Sequence, residues 1–564
     1  MMRVNRMLIV LLVGALLLSA CAPVQRFAGV PAQPAVPEVL VPGAPIQGAW
    51  GLEIGPDGNL YVASYLGRAI VALNPDTGEI VQRFGRAEQV ELPVALAFGP
   101  DASLYWTSFP GMGVQVGRIA PGGATERVSS LPMGDWPIFF SPDGRLFVGQ
   151  VFFSDGLYEL DPEFNTAPRR MRTPLHNIGA YVFGPDGLTY ACDFDNNRVL
   201  RFDLLNEDFD TEVVLDSVTL PFALAFDAAG QLLLAYSPSP SGDVISRVDL
   251  DTGALATVLT TTTGINDLVV DSQGQVYFSD VTDGAIYKLL TDGTVYTLSP
   301  GGLTAPGGIA VMPRADGESV YVAGFHQMRE YDGATGELLR HEWANGPYPD
   351  ATITTPHTVA PFGDALLLGS WWNRNIQLWD PIAHKQIRLI EGIDPGPSDM
   401  VDFEGAILFT MVGGAQLLRI DPAQDDAPTL ASPWYFDNPV GLAAKDGDLY
   451  VGEFTAGRVS QIARAGEFLD KPIVVAAGLA GPEGMDFALD GRLLVVETKA
   501  GRLTAIDLAS GEMTTVAEGF GFATDAPMGM PRQWLLNDVA VGPSGAIYVT
   551  GDDPAALYRL APEE

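Results

Sequence analysis

Apolar and polar positions alternate in short segments along most of the chain, and one pattern recurs twelve times between residues 50 and 561. Each unit consists of a short apolar strand, a turn and three further strands. No segment shows a helical apolar period over a dozen residues, so the pattern predicts an all-β chain of four-stranded antiparallel units. The residues that close the first strands fall mostly 41 to 44 positions apart, at Ile54, Phe98, Phe140, Phe183, Phe226, Val270, Val311, Pro361, Asp402, Ala444, Phe487 and Val541.

Two kinds of turn separate the predicted strands. The first reads Gly-Pro-Asp-Gly at 55–58 and 184–187, and the second reads Asp-Leu-Asp-Thr-Gly at 249–253. Proline presets the first turn position, the Asp side chain bonds its own backbone, and glycine takes the positive φ. Each copy therefore predicts a reversal between two paired strands.

Radial stacking of such sheets predicts a β-propeller, and rings of about four to eight blades are usual. Twelve units therefore indicate two tandem six-bladed propellers, with a seven-plus-five division as the alternative. The last unit stops after its third strand at 557–560, and a strand-like run at 38–41 precedes the first unit. We expect 38–41 to complete the sixth blade and 295–298 to complete the twelfth.

The N-terminus has the pattern of an export signal. Arg3 and Arg6 precede an apolar run at 7–18, which ends in Leu-Ser-Ala-Cys at 18–21. This resembles bacterial lipoprotein signals, which implies cleavage before Cys21 and lipidation of that residue. We expect an exported protein of the cell envelope, anchored to the outer surface of a membrane or facing the periplasm, whose contact with the membrane is the lipid at Cys21.

These patterns divide the chain into four parts. Residues 1–20 form the signal peptide, and 21–36 form a tether rich in proline and alanine. The first propeller is predicted at 37–291 and the second at 292–564.

Net charge argues against one class of partner, and the cysteine content limits disulfide formation. The chain has 32 Lys and Arg against 69 Asp and Glu, a net charge of −37, which repels phosphate backbones and argues against nucleic acid as a partner. With Cys21 lipidated, Cys192 has no partner for an intrachain disulfide, and its apolar neighbours predict a buried strand residue.

Candidate chemistry comes from the residues at which first strands begin, because in a propeller these converge on the axis at one mouth. In the first ring five of the six are apolar or glycine, so that channel is predicted to be plugged. They are Trp50, Val94, Trp136, Gly179, Phe222 and Asn266 in the first ring, and Gly307, His357, Ser398 with Asp399, Val440, Glu483 and Asn537 in the second.

The polar residues of the second ring suggest two chemistries. Glu483, Asn537, His357 and Asp399 could bind a divalent cation such as Ca, Mg, Mn or Zn. Glu483, His357 and Asp399 could also act as catalytic acids and bases. Alternatively, these groups satisfy one another and trapped water in a narrow channel.

Further candidates lie at the same mouth. The run Trp-Trp-Asn-Arg at 371–374 could offer an aromatic shelf to a sugar ring, or pack outward against its neighbours. We expect Trp371, His326 and Asn537 to contribute to substrate binding. The two longest repeat intervals insert 343–356 and 519–534 on this face, where long loops often form specificity walls.

The first-strand motifs Pro-Glu-Gly-Met at 482–485, Ile-Asn-Asp-Leu at 265–268 and Leu-Asn-Asp-Val at 536–539 resemble those of the gluconolactonase and regucalcin family. The general repeat also resembles NHL blades. The resemblance implies six-bladed propellers with a divalent metal on the axis that open sugar lactones or related esters. It supports Glu483 and Asn537 as metal or substrate ligands and Asn266 as a relic, whereas His357 has no counterpart in the family pattern.

Two functions therefore remain open. The first is binding of a small polar or glycan-like ligand, or of a protein partner, at the mouth of the second propeller. The alternative is a metal-dependent hydrolase of a sugar lactone or related ester, in which the metal polarises the carbonyl.

Overall fold

The computed structural model describes residues 34–108, 114–131, 137–150, 156–171, 175, 177–206, 209–239, 242–262, 264–324, 327–343, 353–524 and 536–562. The predicted signal peptide, Cys21 and most of the tether lie outside this part of the chain. No helix in the described residues is both long and apolar enough to cross a membrane.

The described residues form twelve four-stranded sheets whose neighbouring strands are antiparallel. The prediction of an all-β chain built from four-stranded antiparallel units is therefore confirmed. We number the sheets 1 to 12 by their first strands, and the strands β1 to β48 in chain order. Two short 3₁₀ helices accompany them, Arg86–Glu88 and Thr498–Ala500.

Sheets 1 to 6 follow the chain directly. Sheet 1 contains β2 (Ala49–Ile54), β3 (Leu60–Ser64), β4 (Ala69–Leu73) and β5 (Ile80–Phe84), and sheet 2 contains β6 (Pro93–Phe98), β7 (Leu104–Ser108), β8 (Val114–Ile119) and β9 (Thr125–Leu131). Sheet 3 contains β10 (Ile138–Phe140), β11 (Leu146–Gln150), β12 (Gly156–Leu160) and β13 (Arg169–Arg170), and sheet 4 contains β14 (Ile178–Phe183), β15 (Thr189–Asp193), β16 (Arg198–Phe202) and β17 (Glu212–Leu215). Sheet 5 contains β18 (Pro221–Phe226), β19 (Leu232–Ser239), β20 (Gly242–Val248) and β21 (Leu255–Thr261), and sheet 6 contains β22 (Ile265–Val270), β23 (Val276–Asp280), β24 (Ile286–Leu289) and β25 (Val295–Ser299).

Sheets 7 to 12 repeat this order, except that the last one takes a strand from the N-terminus. Sheet 7 contains β26 (Pro306–Arg314), β27 (Gly317–Gly324), β28 (Gln327–Asp332) and β29 (Leu338–Trp343), and sheet 8 contains β30 (Thr358–Phe362), β31 (Ala365–Ser370), β32 (Asn375–Asp380) and β33 (Lys385–Glu391). Sheet 9 contains β34 (Pro397–Phe403), β35 (Ala406–Met411), β36 (Leu418–Asp421) and β37 (Asp425–Leu430), and sheet 10 contains β38 (Pro439–Lys445), β39 (Asp448–Glu453), β40 (Arg458–Arg464) and β41 (Glu467–Ala477). Sheet 11 contains β42 (Pro482–Phe487), β43 (Leu493–Glu497), β44 (Arg502–Ile506) and β45 (Met513–Glu518), and sheet 12 contains β46 (Val539–Val541), β47 (Ile547–Asp552), β48 (Ala555–Leu560) and β1 (Glu38–Pro42).

The turn chemistry read from the sequence is present in the structure. At the second turn of sheet 5, Oδ1 of Asp249 accepts the backbone N–H groups of Asp251 at 3.0 Å and Thr252 at 2.9 Å. Gly253 then takes a φ of 71°, which a residue with a Cβ rarely adopts. The Asp side chain replaces the missing ladder partner, so each reversal stabilises itself locally.

Apolar side chains fill the space between successive sheets. Tyr277 and Ile286 of sheet 6 pack with Leu52 and Val62 of sheet 1 in one fully buried cluster. Each buried side chain of this size stabilises the fold by about 1.5–3 kcal/mol. The first strands of the sheets also contact one another. Strand β22 of sheet 6 packs against β2 of sheet 1, and strands β46 and β47 of sheet 12 pack against β26 of sheet 7. Sheet 6 is therefore in contact with sheet 1, and sheet 12 is in contact with sheet 7.

A buried carboxylate joins the first strands of sheets 6 and 1, and another joins those of sheets 12 and 7. Oδ2 of Asp267 in sheet 6 accepts the N–H of Leu52 in sheet 1 at 2.8 Å. Oδ2 of Asp538 in sheet 12 likewise accepts the N–H of Ile309 in sheet 7 at 3.1 Å. Because the first strand is a sheet edge, its outer N–H groups have no ladder partner, and these carboxylates satisfy them.

A hydroxyl completes each of these links. Oγ of Ser279 donates to the carbonyl of Trp50 at 2.7 Å and accepts the N–H of Asp267 at 3.2 Å. Oγ1 of Thr550 makes the equivalent pair, with the carbonyl of Gly307 at 2.7 Å and the N–H of Asp538 at 3.0 Å. We call one such Asp and hydroxyl pair a hub clamp.

The predicted partners of the two closing strands are wrong. Glu38–Pro42 pairs with Ala555–Leu560 and so completes sheet 12, whereas Val295–Ser299 pairs with Ile286–Leu289 of its own sheet. Residues 291 and 292, at the predicted domain boundary, lie in the turn between those two strands. Local connection decides the pairing of 295–299, because the five-residue connection 290–294 brings that strand beside its predecessor at little loss of entropy.

The N-terminal strand is held by side chains as well as by its ladder. Leu40 and Val41 pack against the cluster that joins sheets 7 and 12, which includes Tyr331 and Leu557. Its neighbour Val39 is 52% exposed. The prediction for Cys192 is confirmed, since the thiol is buried in β15 and burial raises its pKa.

We predict that Leu40→Asp lowers the free energy of unfolding by about 1–3 kcal/mol, because it places a charge against the apolar cluster of sheets 7 and 12. Val39→Asp is the matched control on the exposed face of the same strand and should change it by less than about 0.5 kcal/mol. Urea denaturation followed by tryptophan fluorescence measures both. Equal effects of the two substitutions would show that this strand does not close the sheet.

The clamps also predict how stability depends on pH. Burial raises the pKa of Asp267 and of Asp399 to about 7 and that of Asp486 to about 6. A carboxyl whose folded-state pKa lies above its unfolded value favours folding at low pH, and this contribution is lost as the pH rises through the folded-state value. The melting temperature should therefore fall between pH 5 and pH 8.

Differential scanning calorimetry in steps of half a pH unit tests this dependence. Asp399→Asn removes one of the three titrating groups and should make the fall between pH 5 and pH 8 shallower. A melting temperature that rises with pH over this window would contradict the assignment.

Candidate functional site

The end of sheets 7–12 at which their first strands begin holds the candidate site, and we call it the second mouth. Glu483 and Asn537, which the sequence placed there, are both fully buried. Oε2 of Glu483 accepts the backbone N–H and the Nδ2 amide of Asn537, each at 2.9 Å. Nδ2 of Asn537 also lies 3.5 Å from Oγ1 of Thr498. The structure thus brings this predicted pair together.

A glycine allows the approach of the two strands that carry this pair. A Cβ on Gly484 would lie 2.1 Å from Oδ1 of Asp538, closer than van der Waals contact permits. Without a side chain at 484, the backbones of sheets 11 and 12 come close enough for the Glu483 carboxylate to reach Asn537.

Asp399 is placed differently from the prediction. Its Oδ1 accepts the N–H of Met400 at 2.7 Å and its Oδ2 accepts the N–H of Leu442 at 2.8 Å. Oγ1 of Thr410 accepts the N–H of Asp399 at 3.1 Å and donates to the carbonyl of Val440 at 2.9 Å. Asp399 is therefore the acid of a hub clamp between sheets 9 and 10. Its catalytic and metal-binding roles stay predictions.

Electrostatic repulsion links the clamps of sheets 7–12. The pKa of Asp538 is raised well above its usual range, first by burial and then by the charge of Asp399 and of Asp486. Oδ2 of Asp486 accepts the N–H of Val541 at 2.7 Å, so it too joins two first strands. These acids lie near one another because the strands that they join share one centre.

The predicted metal ligands do not form a metal site as they stand. No group of three His, Cys, Asp or Glu residues among the described positions is arranged to hold a metal ion. The bonded Oε2 of Glu483 and both oxygens of Asp399 accept protein N–H groups. A cation bound by these residues would have to replace those bonds, so the ligand set does not fit a metal in this arrangement.

His357, Trp371 and Trp372 form an aromatic wall at the end of sheet 8 where its first strand begins. The His357 ring lies 4.9 Å from that of Trp371, and Trp371 meets Trp372 edge to face at 5.5 Å. Trp372 is 41% exposed, so it offers the accessible surface of the wall. The structure thus places the predicted Trp371 beside His357, and Trp372 carries the exposed part of the predicted shelf.

The same wall contacts the first six sheets. Trp371 packs against a buried cluster that contains Trp50, Tyr65 and Ala305, and the rings of Trp50 and Tyr65 stack at 4.5 Å. Oε1 of Gln47 accepts the N–H of Ala305 at 3.0 Å beside this cluster. The sequence placed Trp50 at a separate mouth and did not indicate this contact.

Sequence reasoning also missed an acid on the first strand of sheet 1. Glu53 lies three residues after Trp50, and its pKa is raised to about 8 by burial and by the charge of Asp267. The channel of the first six sheets was predicted to be plugged by apolar side chains, yet these two carboxyl groups lie near each other there. Inspection of the whole first strand, beyond its initial residue, would have found Glu53.

Two further residues of the second mouth were not predicted. Phe454 packs with Val440 and Leu536 in a small buried cluster. Nζ of Lys499 lies 4.4 Å from the centre of the Phe454 ring. Phe454 directly follows second strand β39, and Lys499 is the second residue after second strand β43.

Some predicted residues cannot be placed. His326 and Trp136 lie outside the described residues, as do 344–352 and 525–535, which make up most of the two inserts.

No family model matches the chain, and no curated protein matches its sequence. Among solved structures, a catalytically inactive variant of virginiamycin B lyase from Staphylococcus aureus with quinupristin is 15% identical, with a TM-score of 0.36 over 50% of this chain and 92% of that one. The extracellular domain of a protein described as a one-component system from B. thetaiotaomicron is 13% identical, with a TM-score of 0.34 over 94% and 83%. A protein described as a gluconolactonase is 15% identical, with a TM-score of 0.36 over 49% and 96%. At these TM-scores the likeness assigns neither a family nor an activity to this chain.

Proposed function

We propose that the twelve sheets form two six-bladed β-propellers. The return of first-strand contacts from sheet 6 to sheet 1 and from sheet 12 to sheet 7 supports this arrangement. The hub clamps of Asp267 and Asp538 lie at those two returns. On the observed strand pairing, the first propeller spans 49–299 and the second spans 306–560 together with β1.

We also propose that the chain is exported and anchored by a lipid on Cys21. The basic residues, the apolar run and the small residues before Cys21 support this. The anchor would then join the fold next to β1, at the outer edge of the second propeller.

We infer that the second mouth binds a small polar or glycan-like ligand. The observation that carries this proposal is the combination of the buried Glu483 and Asn537 pair with the exposed Trp372 of the aromatic wall. Carboxylate and amide groups exchange hydrogen bonds with hydroxyls, and an aromatic face packs against the C–H face of a sugar ring. A protein partner remains the second kind of ligand for the same surface.

We predict that Trp372→Ala weakens saccharide binding about tenfold, which corresponds to about 1.4 kcal/mol. Trp372 is exposed, so its loss should leave the melting temperature unchanged. Tyr296→Ala is the matched control, because Tyr296 is 54% exposed on the outer strand β25. Isothermal titration with saccharides selected from a glycan array provides the measurement. No bound saccharide, or equal losses in both variants, would refute the proposal.

The hydrolase of a sugar lactone or related ester remains the alternative. It requires a divalent ion, and we predict that metal analysis of the purified protein decides the question. A stoichiometric ion that is lost in Glu483→Gln would support hydrolysis, because that substitution removes the charge from the predicted ligand. Protein without any metal, and without turnover of a lactone and ester panel, would leave only the binding function.

A further inference from the structure

Lys499 occupies a fixed position at the second mouth. It is the middle residue of the 3₁₀ helix Thr498–Ala500, which follows Glu497 at the end of β43. Pro482, where the neighbouring first strand begins, lies opposite Glu497, so this helix is on the side of the mouth. The backbone N–H of Lys499 donates to the carbonyl of Ala480 at 3.0 Å, which ties the helix to the segment before β42.

No described carboxylate neutralises the charge of Lys499. Its side chain makes no ion pair with any residue that the structure describes. Neighbouring cations differ, because Arg458 bonds the buried carboxylate of Glu453 and Arg502 bonds that of Glu497. In a chain with 69 acidic and 32 basic residues, an unpaired ammonium group at a mouth is the natural contact for an anionic ligand.

The surroundings of Lys499 combine an apolar and a polar side. Its Nζ lies 4.4 Å from the centre of the Phe454 ring, which packs with Val440 and Leu536. Leu536 directly precedes Asn537, and the adjacent Thr498 lies 3.5 Å from the amide of Asn537. The buried Phe454 ring thus fixes the position of the ammonium group, and a ligand at Lys499 would lie near the segment that carries Asn537.

We propose that Lys499 and Phe454 form a subsite for the carboxylate of an acidic saccharide, such as a uronic acid unit. The ammonium group would bind the carboxylate, and the buried Phe454 ring beneath it would hold the ammonium group in place. One unpaired lysine in a strongly acidic protein suits a single negative charge, and polyanions are repelled by the remaining surface. This inference rests on the proposed saccharide-binding function.

The test compares saccharides that contain glucuronic or galacturonic acid with their neutral glucose and galactose counterparts, using isothermal titration on the full mature chain. Wild-type protein should bind the acidic member of a pair at least tenfold more tightly, and added salt should reduce the difference. Lys499→Met should abolish this preference. Lys499→Arg, which keeps the charge, should retain most of it.

Lys445→Met is the matched control. Nζ of Lys445 lies 5.4 Å from the centre of the Phe487 ring, so its local setting is similar. However, Lys445 is the last residue of β38, at the end opposite the mouth. Its replacement removes the same charge from the protein and should leave the preference for acidic saccharides unchanged.

Three outcomes would overturn the inference, and they differ in what they say about the proposed function. Binding of neutral saccharides with no acidic preference refutes the subsite and leaves saccharide binding intact. Equal losses in Lys499→Met and Lys445→Met would show a general effect of net charge and would also refute the subsite. Binding of neither class refutes both the subsite and the proposed function.

Discussion

The close approach of neighbouring first strands is the constraint on which the rest of the structure depends. A Cβ on Gly441 would lie 1.9 Å from the carbonyl oxygen of Glu483, so adjacent backbones touch with no room for a side chain. At that distance the edge N–H groups of each first strand are shut away from water and need protein partners. The carboxylates of Asp267, Asp399 and Asp538 supply them, and the same contact fixes the spacing of the sheets.

This constraint also explains why polar hub residues are difficult to interpret from sequence. Asp399 and Glu483 both lie on first strands and both look like ligands of a central ion. The three-dimensional structure distinguishes them. The Asp399 carboxylate accepts two backbone N–H groups, whereas the Glu483 carboxylate accepts one backbone N–H and one side-chain amide. Counting residues back from the end of each first strand selected Glu483 and Asn537, which contact each other, but did not indicate what each carboxylate bonds.

Local chemistry was predictable, and distant pairing was not. The turns at 55–58 and 249–253 fold through bonds within a few residues, so their sequences define them. The partner of 38–41 depends on chain ends more than 500 residues apart, and no local signal distinguishes the edge of sheet 6 from that of sheet 12. Lys499 and Phe454 were not predicted for a related reason, since their contact joins residues 45 positions apart in sheets 10 and 11.

The N-terminal strand gives the molecule an order of assembly. Residues 38–42 are synthesised more than 500 positions before their partners at 555–560. Sheet 12 therefore stays incomplete until residues 555–560 have been made, and until then the side chains of Leu40 and Val41 lack the cluster against which they pack.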